Sequence, residues 1–256
     1  MKYLASATTD VGISKKTNQD SVCVKIAQTK KQGQVAMVVL CDGMGGLKKG
    51  ELASATVIKA FSNWFDNVLP GKTDKASVKE LSAELERLAK EQNYLIGQYG
   101  DKNDVSLGTT LTAILIVKGK YAIIHVGDSR AYLISDSTKQ LTEDQTFIHR
   151  EIKASRMTEE EAKTHPKRNM LLQCIGASRN VTPQIIFGDV KKDSVYMFCS
   201  DGFRHVLTDS EIYESFNPVN LTDEQAMEKN SRYLIDLVKS RNEKDNITVA
   251  LLKCVE

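Results

Sequence analysis

The chain has 256 residues, 41% of them hydrophobic, which is enough to bury one large core in a single domain spanning 1–256. Its 35 Lys and Arg residues nearly balance its 33 Asp and Glu residues, giving a formal net charge of +2. Because nucleic acids and anionic membranes select proteins with an excess of basic residues, this balance argues against both as main partners. Aromatic residues, at 6%, are too sparse for a base-stacking surface.

The cysteines and the N-terminus indicate the compartment. The five cysteines form no CxxC pair, which argues against a thiolate zinc site; they are Cys23, Cys41, Cys174, Cys199 and Cys254. The N-terminus lacks a signal-peptide hydrophobic region, and no apolar run approaches the roughly 18 residues of a membrane helix. We therefore expect reduced, buried thiols in a soluble cytoplasmic protein.

The first third of the chain begins with strand patterns and continues with helical ones. Alternating Val22, Val24 and Ile26 predict a strand, and the unbroken apolar run 35–40 predicts a buried one. Apolar residues at near-helical spacing predict a helix over 50–69. The capping-box pattern Ser77-x-x-Glu80 opens a second helix.

Strands return in the middle of the chain, at 109–117, 121–125 and 131–134. The connection between the first two is too short for a parallel crossover, so they are predicted to be antiparallel. The later signals follow in this order: a polar segment 142–180 with a capping pattern at Thr158, strands 183–187 and 195–199, capping patterns at Thr208 and Thr222, and a strand 247–253. The pattern predicts an α+β sandwich with the sheets inside and the helices outside.

Aspartates stand at the edges of five predicted strands: Asp20, Asp42, Asp128, Asp201 and Asp245. Asp42 opens the sequence Asp42-Gly43-Met44-Gly45-Gly46, whose glycines let the backbone approach a ligand closely. One aspartate at a strand end is typical of an ordinary turn. Five in one domain are more than turns require.

Charge repulsion gives these aspartates a physical meaning if they meet. At an effective dielectric constant of about 20 and a separation of about 5 Å, each pair costs about 3 kcal/mol. Hard divalent cations remove that cost, and oxygen ligands favour Mg²⁺ or Mn²⁺ over zinc. Two such ions about 3.5–4 Å apart can generate a hydroxide and hold a phosphoryl group for in-line attack.

The order of the motifs resembles the protein phosphatase 2C family in its compact bacterial form, over residues 3–253. The motifs are Thr17-Asn18-Gln19-Asp20, Asp42-Gly43-Met44-Gly45-Gly46, Gly108-Thr109-Thr110, Gly127-Asp128-Ser129-Arg130, Ser200-Asp201-Gly202 and Asp245-Asn246-Ile247-Thr248. The resemblance implies a four-layer α-β-β-α sandwich with two central antiparallel sheets. It also implies an enzyme that hydrolyses phosphoserine and phosphothreonine in proteins by attack of a metal-bridging water or hydroxide. Such a phosphatase opposes a Ser/Thr protein kinase.

The resemblance also assigns metal ligands. Asp42 would bridge two Mn²⁺ or Mg²⁺ ions, and the Gly43 carbonyl would bind one of them. Asp201 and Asp245 would bind the other ion. Asp128, with Asp201, would hold a more weakly bound third cation.

Further roles follow from the same resemblance. Asp20 would orient the attacking water, which makes it part of the catalytic set with Asp42, Asp201 and Asp245, and Asn246 would support Asp245. Gly108-Thr109-Thr110 would position backbone, and the segment 145–180 would form a flap beside the cleft. The expected partners are a phosphorylated protein and a cognate kinase, and a monomer is expected.

Three residues depart from the family pattern. Lys15 stands where many members use Arg to clamp phosphate; it keeps the charge but not the bidentate fork, and a surface lysine is an equal alternative. Gln19 replaces a Glu near the metal-bound water, which would lower the affinity for one cation. Met44 replaces a His that is a candidate general acid, so another group must protonate the leaving group.

These departures keep other interpretations open. A degenerate fold that binds a phosphoprotein or kinase without hydrolysing it is one alternative, and an α+β scaffold unrelated to phosphate is another. Among the histidines, His125 lies in an apolar strand and is expected in the core. His205 follows Ser200-Asp201-Gly202 closely enough to approach the cleft, but no role is predicted for it.

Overall fold

The computed structural model describes residues 1–31, 33–44 and 49–255, which form ten strands and seven α-helices. The strands are β1 (Lys2–Asp10), β2 (Asp20–Thr29), β3 (Gly33–Asp42), β4 (Leu111–Val117), β5 (Lys120–Val126), β6 (Arg130–Ile134), β7 (Thr138–Gln140), β8 (Gln184–Asp189), β9 (Ser194–Cys199) and β10 (Ile247–Val255). The helices are α1 (Gly50–Asn67), α2 (Val78–Asn103), α3 (Phe147–Lys153), α4 (Glu159–Thr164), α5 (Asp201–Arg204), α6 (Asp209–Phe216) and α7 (Glu224–Ser240).

The strands form two five-stranded sheets with antiparallel pairing throughout. One sheet has the order β1-β10-β9-β6-β7 and the other β2-β3-β4-β5-β8. The predicted hairpin between β4 and β5 is confirmed: Lys118 and Gly119 both adopt positive φ, as the tight turn requires.

Three apolar layers hold the sheets and helices together, because successive residues of each central strand point to opposite faces. Val38 and Phe198 belong to the cluster between the two sheets. On the outer face of one sheet, Met37 packs in a cluster with residues of α1 and α2. On the other sheet, Met197 packs with residues of α6 and α7. The predicted α-β-β-α sandwich is confirmed.

The N-termini of most predicted helices are also confirmed. Ser77, Thr158 and Thr208 each form a complete capping box with the Glu three residues later. The prediction at Thr222 was wrong by one residue: Asp223 is the N-cap of α7, and its carboxylate accepts the Ala226 amide. A carboxylate is a stronger acceptor for these amides than a hydroxyl, and its charge favours the positive end of the helix.

Two strands were not predicted. β1 consists mostly of small and polar residues, so its alternation is weak, yet it pairs with β10 along its whole length. β7 has three residues. The predicted strand 109–117 begins later, at Leu111, because Thr109 instead bridges Gly43 and Ile175.

The five cysteines are free thiols, and all except the half-buried Cys23 are buried. In the part of the chain that the structure describes, no helix combines the length and apolarity needed to cross a bilayer.

Candidate active site

The ends of the central strands carry the aspartates that the sequence singled out. Asp20 begins β2 directly opposite Asp42, which ends β3. In the other sheet, Asp201 follows β9, and Asp245 lies two residues before β10, which pairs with β9. Asp128 follows β5. Both sheets therefore contribute carboxylates to the site.

Two glycines allow the backbone segments of the site to approach one another. A Cβ on Gly202 would lie 2.2 Å from the Asn246 carbonyl oxygen and 3.2 Å from the Asp245 Cβ. A Cβ on Gly43 would lie 2.5 Å from the carbonyl oxygens of both Gln19 and Gly50. Contacts this short leave no room for a side chain, so these motif glycines bring the strand ends together.

Burial and the charges of neighbouring carboxylates raise the pKa of three of these carboxyl groups, Asp20, Asp42 and Asp128. Burial raises the pKa of Asp42 well above its usual range, and the charges of Asp20, Asp201, Asp128 and Asp245 raise it further. Burial, opposed by hydrogen bonds from Thr248 and Ser200, raises the pKa of Asp20 to about 7. The charges of Asp201 and Asp245 therefore act on both Asp20 and Asp42.

Asp128 has a similarly raised pKa of about 7, chiefly from burial and then from the charge of Asp201. Asp128, Asp201, Asp245 and Lys15 line one open cleft of about 980 Å³. The opposite wall of that cleft comes from the segment 144–169, including His149, Arg168 and Asn169.

The donor set suits a hard cation. Within residues 1–31, 33–44 and 49–255, no three Asp, Glu, His or Cys side chains already stand in an arrangement that holds one ion. Carboxylates that repel one another spread apart, and a divalent cation opposes that repulsion. The group is rich in carboxylate oxygen, and it contains acids whose pKa is raised by burial and then by like-charged neighbours. Such a donor set fits Mg²⁺ or Mn²⁺ chemistry.

Backbone hydrogen bonds fix Asp42 at the end of β3. Its amide donates to the Thr110 hydroxyl at 2.9 Å, and its carbonyl accepts the Thr110 amide and the Thr109 hydroxyl, each at 2.9 Å. This is the positioning role expected of Gly108-Thr109-Thr110. The neighbouring Met44 amide donates to the Gly108 carbonyl at 3.0 Å. Gly45 and Gly46 of the same motif lie outside the described residues.

Asn246 joins the loop before β2 to the start of β10. Its side-chain oxygen accepts the Gln19 amide at 2.9 Å, and its side-chain nitrogen donates to the carbonyls of Val11 and Thr17. Its own amide donates to the Asp245 carboxylate at 2.8 Å. The side chain of Gln19 donates to Glu51 at 3.2 Å.

Lys15 stands at the cleft in contact with one of the predicted metal ligands. Its Nζ lies 3.0 Å from the Asp245 Oδ1, and about a third of the lysine side chain (32%) is exposed. The lysine is therefore more than a solvated surface charge.

Comparison with known proteins decides the family. The family model described as "Protein phosphatase 2C" matches residues 13–239. The chain belongs to the protein phosphatase 2C family. That membership makes it a phosphoprotein phosphatase and confirms the resemblance seen in the motifs.

Individual relatives agree with the family model over nearly the whole chain. A putative protein phosphatase 2C-type protein of Streptococcus pyogenes is 31% identical over 250 residues, covering 96% of each chain. The serine/threonine protein phosphatase PstP of Mycobacterium tuberculosis is 30% identical over 98% of this chain, which spans only 45% of the length of PstP.

Solved structures show the same fold. The S. agalactiae serine/threonine phosphatase superposes with a TM-score of 0.84 at 31% identity, and the match covers the whole of both chains. The PstP catalytic domain solved with two manganese ions superposes with a TM-score of 0.77 at 29% identity, covering 99% of each chain.

The flap of this phosphatase 2C chain, residues 145–180, contains the short helices α3 and α4. Its base is tied to the sheet end, because Thr109 and Ile175 exchange two backbone hydrogen bonds. Further out, Phe147 donates its amide to the Met170 carbonyl. The flap therefore has a firm base and a more exposed outer part.

One group that the sequence analysis missed lies at the base of the flap. The Asp144 carboxylate accepts two hydrogen bonds from Arg130, at 2.8 and 2.7 Å, and lies 3.5 Å from Arg204. Arg204 also donates to the backbone carbonyl of Asp128 at 3.2 Å. Although burial raises the pKa of Asp144, the two guanidinium groups outweigh it and lower the pKa. Arg130 belongs to the motif Gly127-Asp128-Ser129-Arg130, and that position was the one sequence signal for a charged network here.

A second missed group surrounds His205. The imidazole lies between the carboxylates of Asp201 and Glu243, at 3.6 and 3.5 Å. Burial alone would lower the pKa of His205, but the two carboxylates outweigh burial and raise it. His125, in contrast, is fully buried as expected: it shares a hydrogen bond with Thr112 and donates to the Glu143 carbonyl.

Proposed function

We propose that this chain is a metal-dependent phosphatase that hydrolyses phosphoserine and phosphothreonine in proteins, with 1–256 as a single catalytic domain. The observation that carries the proposal is the meeting of strand-end aspartates from both sheets beside a cleft that contains Lys15. The printed names of the relatives, which include serine/threonine phosphatases, support the substrate class.

The proposed metal ligands are the Asp42 carboxylate, the Gly43 carbonyl, and the carboxylates of Asp201 and Asp245. They would hold two ions of Mn²⁺ or Mg²⁺, and Asp128 with Asp201 would hold a third. The pair of ions in the solved PstP structure supports this number. When bound, such ions activate water and neutralise charge on the phosphoryl group.

The remaining residues of the site orient the reactants. Lys15, whose ammonium already lies 3.0 Å from Asp245, would bind the substrate phosphate as a point charge. Asp20 would orient the attacking water, and a 2.6 Å hydrogen bond from Thr248 fixes its carboxylate. Asn246 holds the Asp245 carboxylate through its backbone amide. Gln19 anchors the loop beside Asp20 through its own backbone amide.

The cleft and flap fit a protein substrate. A cleft of about 980 Å³ has room for a segment of polypeptide around the phosphorylated side chain. Because loops on a rigid scaffold commonly set specificity, the flap 145–180 is the proposed source of substrate selectivity. We infer a monomeric cytoplasmic enzyme that opposes a cognate Ser/Thr kinase, without nucleic acid or membrane as a partner.

The test compares two matched substitutions, Asp42→Asn at the site and Asp66→Asn on the exposed face of α1, where Asp66 pairs with Lys25. Turnover of a phosphothreonine peptide and of p-nitrophenyl phosphate is measured in saturating Mn²⁺. Asp42→Asn should lower kcat by about 100-fold or more, since metal catalysis supplies several kcal/mol. Asp66→Asn should match the wild type. EDTA should abolish wild-type activity, and added Mn²⁺ should restore it.

Wild-type turnover by Asp42→Asn would show that the proposed metal mechanism is wrong. Binding of a phosphopeptide without Mn²⁺ binding and without EDTA-sensitive turnover would instead favour the alternative of a binding module.

A further inference from the structure

The side chain of His205 faces two carboxylates at the edge of the cleft. It is the C-cap residue of α5, four residues after Asp201, and its Nε2 is 3.6 Å from the Asp201 Oδ2. Its Nδ1 is 3.5 Å from the Glu243 Oε2. About a third of the imidazole side chain (38%) is exposed, which is the part that borders the cleft.

Glu243 connects this imidazole to the neighbouring strand end. Its side chain is largely buried, and its Oε1 accepts the amide of Lys244 at 2.7 Å and that of Asp245 at 3.1 Å. One carboxylate therefore holds the backbone of Asp245 through one oxygen and faces His205 through the other. The two chain segments that carry Asp201 and Asp245 are joined through this pair.

We propose that His205 and Glu243 are positioning residues that hold Asp201 and Asp245 in the orientation that binds a divalent cation. The inference rests on the proposed function, in which these two aspartates bind the same ion. His205 faces the Oδ2 of Asp201 and limits rotation of the carboxylate that would hold the ion. Glu243 restrains both the imidazole ring and the Asp245 backbone.

The physical basis is preorganisation. Without a partner, a ligating carboxylate loses rotational freedom when it binds a metal, and like-charged neighbours push it away from the site. Partners behind the ligands reduce both costs, and removing such a partner typically weakens metal binding by about 10–100-fold. A surface ion pair without this role would have no effect on the metal.

The experiment measures Mn²⁺ binding by calorimetry on the full chain without substrate, together with thermal unfolding. His205→Ala should weaken Mn²⁺ binding by about tenfold. His205→Gln should restore most of the loss, because its amide keeps an N–H donor at similar reach. Glu243→Gln should weaken binding by several fold. Glu228→Gln, which alters an exposed glutamate paired with Arg232 on α7, should bind Mn²⁺ like the wild type.

The dependence of kcat on Mn²⁺ concentration should show the same loss of metal affinity. In His205→Ala, the Mn²⁺ concentration for half-maximal kcat should rise about tenfold, and the KM for a phosphopeptide at saturating Mn²⁺ should stay unchanged. The double variant His205→Ala/Glu243→Gln should lose less Mn²⁺ affinity than the product of the fold-losses of the two single variants. The reason is that Glu243 acts partly through His205.

Several results would overturn the proposal. Mn²⁺ binding that is unchanged or tighter in a folded His205→Ala or Glu243→Gln protein contradicts positioning, as do fully multiplicative losses in the double variant. If His205→Ala unfolds, Glu243→Gln and His205→Gln still decide the question. A wild type that binds no Mn²⁺ would defeat the proposed function itself, whereas equal binding by wild type and variants defeats only this inference.

Discussion

The two walls of the cleft are built in different ways. One wall carries Asp128, Asp201 and Asp245. With Asp20 and Asp42 beside them, these make up the group of five strand-end aspartates that we call the floor. The other wall is the flap 145–180. The floor residues stand at the ends of buried strands, whereas the flap helices α3 and α4 together bury little apolar surface, with Ala162 as their one buried residue.

Different interactions stabilise the two walls. In the floor, the Thr110 hydroxyl accepts the Asp42 amide and the Thr109 hydroxyl donates to the Asp42 carbonyl, which fixes the backbone of Asp42. In the flap, the ion pair Lys163–Glu160 involves two exposed side chains. Exposed ion pairs contribute about 0–1 kcal/mol each, and buried backbone contacts resist opening far more strongly. The floor is therefore held more firmly than the outer part of the flap.

The largest effect is expected from Gly202→Ala in the floor. The added Cβ would lie 2.2 Å from the Asn246 carbonyl oxygen, a backbone atom that cannot move without displacing Asp245. We expect the free energy of unfolding to fall by about 3 kcal/mol and Mn²⁺ binding to weaken. Urea unfolding and calorimetry measure the two effects.

Gly71→Ala is the matched control, because a Cβ at Gly71 would meet nothing within 4 Å. We expect its stability to stay within about 1 kcal/mol of the wild type. Equal stability in Gly202→Ala and Gly71→Ala would mean that the close approach of the strand ends does not constrain the floor.

The buried His125, in the strand β5 that precedes Asp128, should give the stability a characteristic pH dependence. The buried imidazole donates to the Glu143 carbonyl just before the flap, and burial lowers its pKa from 6.5 to about 4. Between these two pH values the unfolded chain holds the proton and the folded chain does not. The contribution of His125 to stability should therefore decrease as pH falls from 6.5 to 4, by about 3 kcal/mol in total.

The informative measurement is the difference in unfolding free energy between wild type and His125→Gln across that pH range. The difference is needed because Asp20 and Asp128, with raised pKa values, change the stability of both proteins in the opposite direction. The advantage of the wild type should shrink toward pH 4. A difference that stays constant with pH would show that the imidazole is protonated in the folded protein.

The floor could be predicted from the sequence, because its signals are local. Each of the five aspartates borders a recognisable strand, and the hydrophobic pattern of strands such as 35–40 fixed which residues would be buried. The alternation of strand runs with paired helices predicted an α+β sandwich, and the family resemblance implied its four layers. Local pattern failed to predict strands that are short or rich in small residues, as in β1 and β7.

The contacts behind the floor could not be predicted in this way. His205 meets Glu243 across 38 positions, and Asp144 meets Arg204 across 60, through side chains that belong to no local pattern. Such pairs depend on how α5 and the loop before β10 come together. Sequence spacing does not specify that packing.

The smallest effects on the free energy of unfolding should come from replacing a threonine N-cap by alanine, once in the flap and once in the sandwich. Thr158 and Thr208 are N-cap residues with complete capping boxes, on α4 in the flap and on α6 against the core. Thr208→Ala should lower the global free energy of unfolding by about 1 kcal/mol, the usual value of an N-cap. Thr158→Ala should change it by less than about 0.5 kcal/mol, because the outer flap can open while the sandwich stays folded.

Hydrogen exchange distinguishes a local from a global effect of the Thr158 cap. In Thr158→Ala, amides of α4 should exchange faster while those of β3 and β9 keep their wild-type protection. In Thr208→Ala, the slowest core amides should exchange faster in proportion to the lost stability. If Thr158→Ala instead lowered global stability as much as Thr208→Ala, the flap would unfold together with the sandwich, and the two walls would form one cooperative unit.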